Sequence, residues 1–270
     1  MGPVRLGTVL CYLKIANSSF LASNLALPSC IVDDLVNISL PLENVLPGQF
    51  WQRANASLVG YQSVSTTLSQ ILGRTASYLT QQKISLFTLL HYFGELQEWS
   101  DELPVEFRRT TVGTPEQTKA ISFLTLRYLD AVMIATRPFL ASLARFGAGS
   151  LSPRLRNFFG FCANVASLAA REVVYCLRNE MDKQMVQGLT AFNRHFLVQS
   201  ASILALSSVV QLGKRDERWR FRQCIELLLR IPGGRYGYLI RDMQVVDGKL
   251  ERYAAMKTIK EPYALPLKKD

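Results

Sequence analysis

The feature that most constrains this sequence is a succession of apolar residues at steps of three and four, which continues through most of the chain after about residue 53. Its first stretch, Ala54–Leu79, carries them at Leu58, Tyr61, Val64 and Leu68. This spacing places apolar side chains in one stripe along one face of an α-helix. Because the spacing returns in one segment after another, we expect an all-α fold built from amphipathic helices.

Proline, glycine and capping residues divide this pattern into separate helices. The clearest start is Thr114-Pro115, because threonine can cap a helix and proline suits its first position, and Gln117 completes a capping box. We expect this helix to reach about Phe146, with a kink at Pro138, and to end at the glycines that follow. The other predicted helices are Ala54–Leu79, Leu86–Leu103 before Pro104, Pro153 to about Met185, Leu189–Leu212, Glu217–Ile231 and a stretch between Tyr236 and Met256.

Short turns between long helices favour antiparallel packing, so we expect a bundle of long antiparallel helices. Residues 1–53 read as an irregular N-terminal arm or connector, residues 54–256 as one helical domain, and residues 257–270 as a basic C-terminal tail. The helix before Pro104 continues the apolar stripe, with members at Leu86, Leu89, Leu90, Phe93, Leu96, Trp99 and Leu103. The uncharged segment Phe196–Leu212 contains serine and glutamine, which are costly in lipid, so we expect a buried helix and no membrane association.

Positive charge is spread over the chain: 31 Lys and Arg against 21 Asp and Glu give a net charge of +10. Proteins that read nucleic acid usually concentrate such charge in a recognisable module. The densest stretch, Lys214–Arg222, could bind phosphates or an acidic partner. We favour a simpler interpretation, in which these are the solvated first turns of a helix whose Trp219 packs inward.

The five cysteines are too widely spaced for a zinc knuckle or a redox motif, and we expect buried thiols in a reducing compartment. His91 and His195 each lack a second His or Cys three or four residues away, and Glu95 alone would leave a site at His91 incomplete. Asp33-Asp34 has no second acidic cluster to face it, as a magnesium-dependent helical synthase would need. We therefore expect no catalytic, cofactor-binding or metal-binding residues and no enzymatic activity, although a convergent pocket would favour the enzyme alternative.

Several strings of this sequence, the longest being Leu126–Leu140 and Glu95–Pro104, resemble in order and spacing the fungal-specific transcription factor domain, the regulatory middle homology region of zinc-cluster transcription factors. The string Glu95–Pro104, with Trp99 at its centre, is similar to the "L, W, then LP" signature of that family. The other strings are Leu27–Asp33 with Leu40-Pro41, Leu126–Leu140 with Arg137-Pro138, Cys162 with Ala169-Ala170, and Phe192–Phe196.

The resemblance covers roughly residues 20 to 256 and implies a nuclear protein that controls transcription through a small-molecule effector or a protein partner. The six-cysteine, two-zinc DNA-binding head of the family does not appear in this sequence, and neither does its Trp-rich helix. Zinc and DNA would therefore be bound only by that head, and we expect a truncated product or the later part of a longer protein. Helix faces left uncovered in this way would expose apolar surface and favour self-association.

The main alternative is a helical protein–protein interaction scaffold unrelated to transcription. In either case Trp99, Pro104, Arg137 and Pro138 are expected to be diagnostic of the fold and are given no catalytic role. Arg137 could contact an effector, but an arginine beside a helix kink more often satisfies freed carbonyls or a nearby acid.

Overall fold

The computed structural model describes residues 52–80, 85–108, 115–182, 191–210, 215–230 and 237–260. These ranges form seven α-helices and two short 3-10 turns, and they contain no strand. The helices are α1 Gln52–Thr80, α2 Leu86–Asp101, α3 Pro115–Phe146, α4 Pro153–Asp182, α5 Ala191–Val210, α6 Arg215–Leu229 and α7 Gly237–Lys260. The all-α fold class is therefore confirmed.

The helix limits follow the local signals in the sequence. Helix α3 begins at Pro115 and ends at Phe146, as predicted, and Gly147 then takes the left-handed backbone conformation with φ of 75°. Helix α4 begins after Ser152, whose Oγ accepts a hydrogen bond from the backbone N–H of Leu155 at 3.4 Å. The capping residue predicted at position 114 lies outside the described residues.

Other limits moved by a few residues. Helix α2 ends at Asp101 instead of Leu103, and Pro104 precedes a 3-10 turn over Val105–Phe107. Helix α1 begins at Gln52, and α7 continues to Lys260, past the start predicted for the basic tail. The predicted N-terminal arm, apart from its last residues, lies outside the described residues.

The chain divides into two compact units, Met1–Ala135 and Thr136–Asp270, and the boundary falls within α3. In the second unit α5 packs against α4, α6 and α7, and α6 also packs against α4 and α7. The antiparallel arrangement of the whole bundle and the kink at Pro138 stay predictions.

Trp99 joins the helices of the first unit. Its side chain is 7% exposed and its Nε1–H donates a hydrogen bond to the carbonyl oxygen of Val64 in α1 at 3.0 Å. Its ring stacks on that of Tyr128 in α3, with 5.9 Å between the centroids and 15° between the planes. The hydroxyl of Tyr92 adds a second link from α2 to α3 by donating to the carbonyl oxygen of Ala131 at 3.2 Å.

A buried arginine also holds α3 against α1. Arg127 is only 4% exposed, and its guanidinium donates to the Oγ atoms of Ser65 and Ser69 at 2.6 Å each. Burial lowers the pKa of Arg127 from its usual value, because a low-dielectric surrounding disfavours the charged form. The two serine hydroxyls offset part of that cost, since hydrogen bonds to a charged group are stronger than neutral ones.

In the second unit, polar groups pair across the contacts between helices. Ser167 of α4 donates through its hydroxyl to Ser207 of α5 at 2.7 Å. Arg171 of α4 forms a two-pronged ion pair with Glu217 of α6, whose side chain is 1% exposed. A buried carboxylate needs such a partner, because an unpaired charge in the interior is costly. These pairs therefore fix which side chains of α4, α5 and α6 face one another.

Replacing Trp99 with Phe tests the role of the indole. We expect Trp99→Phe to lower the free energy of unfolding by about 1–2 kcal/mol, because the variant loses the hydrogen bond to Val64 and leaves space beside Tyr128. The matched control is Trp219→Phe, at a side chain that is 49% exposed. That variant should change the free energy by less than about 0.5 kcal/mol. Urea unfolding followed by circular dichroism gives both values, and equal losses in the two variants would contradict the role given to Trp99.

Candidate functional site

The four residues that the sequence marks as diagnostic all lie in or beside the helical packing. Trp99 is part of the core of the first unit, and Pro104 lies between α2 and the 3-10 turn. Pro138 lies inside α3, where its carbonyl oxygen accepts a hydrogen bond from the hydroxyl of Ser142 at 2.8 Å. Arg137 donates through Nη1 to Oε1 of Gln199 in α5 at 3.0 Å. Among the described residues, the partner of Arg137 is thus a side-chain amide and not a freed carbonyl or an acid.

The prediction that Trp219 packs inward is wrong. Its side chain is 49% exposed, and the guanidinium carbon of Arg220 lies 4.8 Å from the centroid of its ring. The reason is the helical phase of α6, which buries Glu217, Phe221 and Cys224 on one face. Residue 219 is two positions after Glu217, which places it on the opposite side of the helix. Trp219 is therefore an exposed aromatic side chain beside the half-buried Arg220.

A cluster of four charged side chains joins α6 to α7. Asp247 accepts hydrogen bonds from Nε of Arg218 at 2.9 Å and from Nε of Arg222 at 2.8 Å. Glu251, one turn further along α7, is an ion-pair partner of Arg218 at 3.0 Å. Burial alone would raise the pKa of Asp247, but the hydrogen bonds from the two arginines outweigh it and hold the pKa below its usual value. A carboxylate held in this way is a poor proton acceptor at neutral pH, so the cluster suits a structural role.

Glu180 is the acid with the most perturbed titration in the described residues. Burial raises its pKa from 4.5 to about 7, and its buried Oε1 atom has no hydrogen-bond partner among the described residues. A raised pKa of this kind is found in general acids and bases, but it indicates such a site only beside a nucleophile or a second titratable group. The raised pKa of Glu180 is caused by burial, with no contribution from a neighbouring charge, so the shift alone does not indicate a catalytic site.

The histidines do not converge with other metal-binding side chains. His91 is exposed on α2, and the ring of His195 lies edge-on to that of Phe196 with 5.7 Å between the centroids. Across the described ranges, no group of three or more His, Cys, Asp or Glu side chains is placed to hold a metal ion. The described helices also include none with the length and apolar character needed to span a membrane.

Two of the predicted buried thiols are confirmed. Cys162 and Cys224 are 0% exposed, and burial raises their pKa to about 11 and about 12. Cys176 is only partly buried, and the remaining two cysteines lie outside the described residues. A thiol with so high a pKa is almost fully protonated at neutral pH and is a weak nucleophile. These side chains are therefore packing groups.

The first two turns of α2 carry large apolar side chains on the outside of the protein. Leu86 and Leu90, which the spacing placed on the apolar stripe of this helix, are 51% and 57% exposed, and Phe87 is 80% exposed. The buried residues of this helix are Leu89, Tyr92, Leu96 and Trp99. Leu86 and Leu90 are adjacent to that buried stripe on the helical wheel, but the packing of α2 leaves them outside it. We call Leu86, Phe87 and Leu90 the α2 apolar face.

Comparisons with protein-family models, with curated proteins and with solved structures found no match for this chain.

Neutralising Asp247 tests the charged cluster. We expect Asp247→Asn to lower the free energy of unfolding by about 1–2 kcal/mol at pH 7, because two guanidinium groups lose a charged acceptor. Asp242→Asn, at an exposed acid of the same helix, is the matched control and should have little effect. Because the pKa of Asp247 is lowered in the fold, its contribution is present above the unfolded pKa and is lost as pH falls through the folded value. Chemical denaturation at several pH values would therefore show the two proteins converging in acid; a difference that persists there would contradict the assignment.

The raised pKa of Glu180 predicts that the free energy of unfolding depends on pH in the opposite direction. Since its pKa is raised to about 7, the folded state binds the proton more tightly, and its stabilising effect is lost as pH rises from about 4.5 through about 7. Glu180→Gln should therefore be more stable than the parent by about 1–3 kcal/mol at pH 8, with little difference near pH 4. Thermal unfolding at the two pH values measures this, and an equal difference at both would show that the titration of Glu180 is not coupled to folding.

Proposed function

We propose that this chain is a helical regulatory domain that works by binding other molecules, and that it controls transcription as the middle homology region of zinc-cluster transcription factors does. The observation that carries the binding role is the α2 apolar face. Three large apolar side chains lie together in solvent on two turns of one helix, while the opposite face of that helix is fully packed. Exposed apolar groups of this size are typical of surfaces that receive a protein partner.

The packing of α2 makes its outer face a suitable binding surface. Trp99 anchors the helix to α1 and α3, and Ser85 caps its start by accepting a hydrogen bond from the backbone N–H of Thr88 at 3.0 Å. A second tie is the ion pair between Arg74 of α1 and Glu95 of α2 at 2.7 Å. A partner that binds Phe87 and its neighbours would therefore meet a helix already held in place, which lowers the entropic cost of association.

The transcriptional role rests on the resemblance of the strings around Trp99 and Arg137 to the fungal family. What supports it further is that these strings serve packing: Trp99 links three helices and Arg137 links α3 to α5. Residues that hold the helices together are expected in a regulatory domain of this kind, in which a partner or an effector binds at other residues. In this proposal the chain acts in the nucleus, and contact with DNA is made by a separate zinc-cluster head.

A tethering experiment tests this function. The full chain is fused to an unrelated DNA-binding domain, and the output of a reporter gene with matching upstream sites is measured in fungal cells. We expect the fusion to change reporter output, and we expect Phe87→Ala to remove most of that change, because loss of a central aromatic anchor weakens binding by roughly 10- to 30-fold. Tyr238→Ala is the matched control, because Tyr238 is 67% exposed on α7.

The outcomes separate the two readings of the chain. A fusion that is expressed, folded and nuclear but leaves the reporter unchanged would contradict the transcriptional role. If such a fusion still captures a partner in a manner that Phe87→Ala abolishes, the interaction scaffold would be the correct function. One observation favours the scaffold. Helix α4 also carries large apolar side chains that are exposed, namely Phe161, Leu168 and Tyr175, and they give the chain a second surface for association.

A further inference from the structure

Helix α4 has two faces of different character. The face against α5 and α6 is built mainly from small and apolar buried residues, with Arg171 paired to Glu217 beside them. The opposite face carries three large apolar side chains at intervals of seven residues: Phe161, Leu168 and Tyr175 are 56%, 62% and 52% exposed. Intervals of seven keep side chains in line along a pair of supercoiled helices, which is the spacing of a helix–helix seam. Nothing in the second unit that the structure describes covers this stripe.

The same interval continues to both ends of the helix and there meets opposite charges. Arg154 lies seven residues before Phe161, in the first turn of α4, and Asp182 lies seven residues after Tyr175, at the last residue of the helix. Both side chains are exposed. The residues along this line are therefore Arg, Phe, Leu, Tyr and Asp. On each side of Leu168 there is first an aromatic residue and then a charged residue, and the two charges have opposite signs.

Such a line is complementary to itself when it is reversed. If a second α4 lies antiparallel with the two-fold axis at Leu168, each Phe161 faces Tyr175 of the other copy and the two Leu168 side chains meet. Arg154 of each copy then faces Asp182 of the other. A two-fold interface requires a surface that matches itself in this way. A parallel pairing would instead place Arg154 against Arg154 and Asp182 against Asp182.

The ends of α4 carry charges of the unfavourable sign for an isolated helix. A helix has partial positive charge at its N-terminus and partial negative charge at its C-terminus, so Arg154 and Asp182 each lie at the wrong end. An antiparallel neighbour would bring an Asp182 to the start of the helix and an Arg154 to its end. Among the described residues, Asp182 forms ion pairs with Arg178 and Arg230, both at 3.8 Å between largely exposed groups. Such pairs contribute little to stability, so the carboxylate of Asp182 can pair with an arginine of a second copy.

From these observations we infer that the outward face of α4 is a self-association surface, and that it binds the same face of a second copy of this chain in antiparallel orientation. The stripe from Arg154 to Asp182 extends over about 42 Å at 1.5 Å per residue, long enough for a defined helix pair. With three apolar contacts per copy and a charged pair at each end, the expected association is a dimer with a dissociation constant on the order of micromolar.

Sedimentation equilibrium of the full chain over a range of concentrations measures this association. We expect the parent to dimerise and Leu168→Glu to raise the dissociation constant by roughly 100-fold, because two carboxylates would meet at the two-fold axis. Leu155→Glu is the matched control: Leu155 is 48% exposed on the same helix but lies away from the line of seven-residue intervals. That variant should dimerise as the parent does, and the circular dichroism of both variants should match the parent, since both positions are exposed.

A charge exchange tests the orientation of the two helices. Arg154→Asp and Asp182→Arg should each weaken the dimer by roughly 3- to 10-fold at low salt, because each places like charges opposite one another. The double variant restores opposite charges across the antiparallel pair and should return the dissociation constant to about that of the parent. Each single variant places a charge of favourable sign at its end of α4, so neither should destabilise the lone chain, and weakening in the single variants with recovery in the double variant supports the interface.

Three results would overturn the proposal. The first is a parent chain that stays monomeric at high micromolar concentration, as it would if another segment of the same chain covered the stripe. The second is a dimer that Leu168→Glu leaves intact while Phe87→Glu disrupts it, which would place the interface on the α2 apolar face. The third is a double variant no stronger than the two single variants, which would exclude the antiparallel register.

Discussion

Charge buried between helices is the constraint on which the packing of both units depends. In the first unit the guanidinium of Arg127 lies between the hydroxyls of Ser65 and Ser69, and in the second unit Glu217 lies against Arg171. A buried charge without its partner costs several kcal/mol, whereas nearby apolar contacts tolerate small shifts. The ionic groups therefore determine the register of each helix pair. The apolar side chains then pack in the positions that this register gives them.

Local signals account for what the sequence predicted well. Helix α3 begins at Pro115 and stops before Gly147 because proline and a left-handed glycine act through their own backbones, independent of the rest of the fold. Residues from Ala131 to Thr136 of this helix are buried without interruption. Fold class and helix limits are therefore accessible from one sequence, because short-range geometry determines them.

The direction of individual side chains was harder to predict. Trp219 was predicted to pack inward, and Leu86 and Leu90 were placed on the apolar stripe of their helix, yet all three are exposed. Apolar letters alone do not show which side of a helix meets a partner helix. The four residues that join α6 to α7 were missed, although arginines at i and i+4 on α6 and acids at i and i+4 on α7 were a usable signal. Pairing them requires knowing that the two helices are neighbours, which is tertiary information. The same holds for the outward faces of α2 and α4, which carry the candidate sites.

The buried thiols of the second unit determine how the chain responds to a reducing or an oxidising medium. Cys162 and Cys224 lie in the core with pKa values of about 11 and about 12, so at neutral pH they are almost wholly in the thiol form. Oxidants and electrophiles react with thiolates that solvent can reach. At these two positions the packing of α4 and α6 should thus be the same in a reducing and in an oxidising medium. Neither Cys162 nor Cys224 is suited to act as a redox sensor.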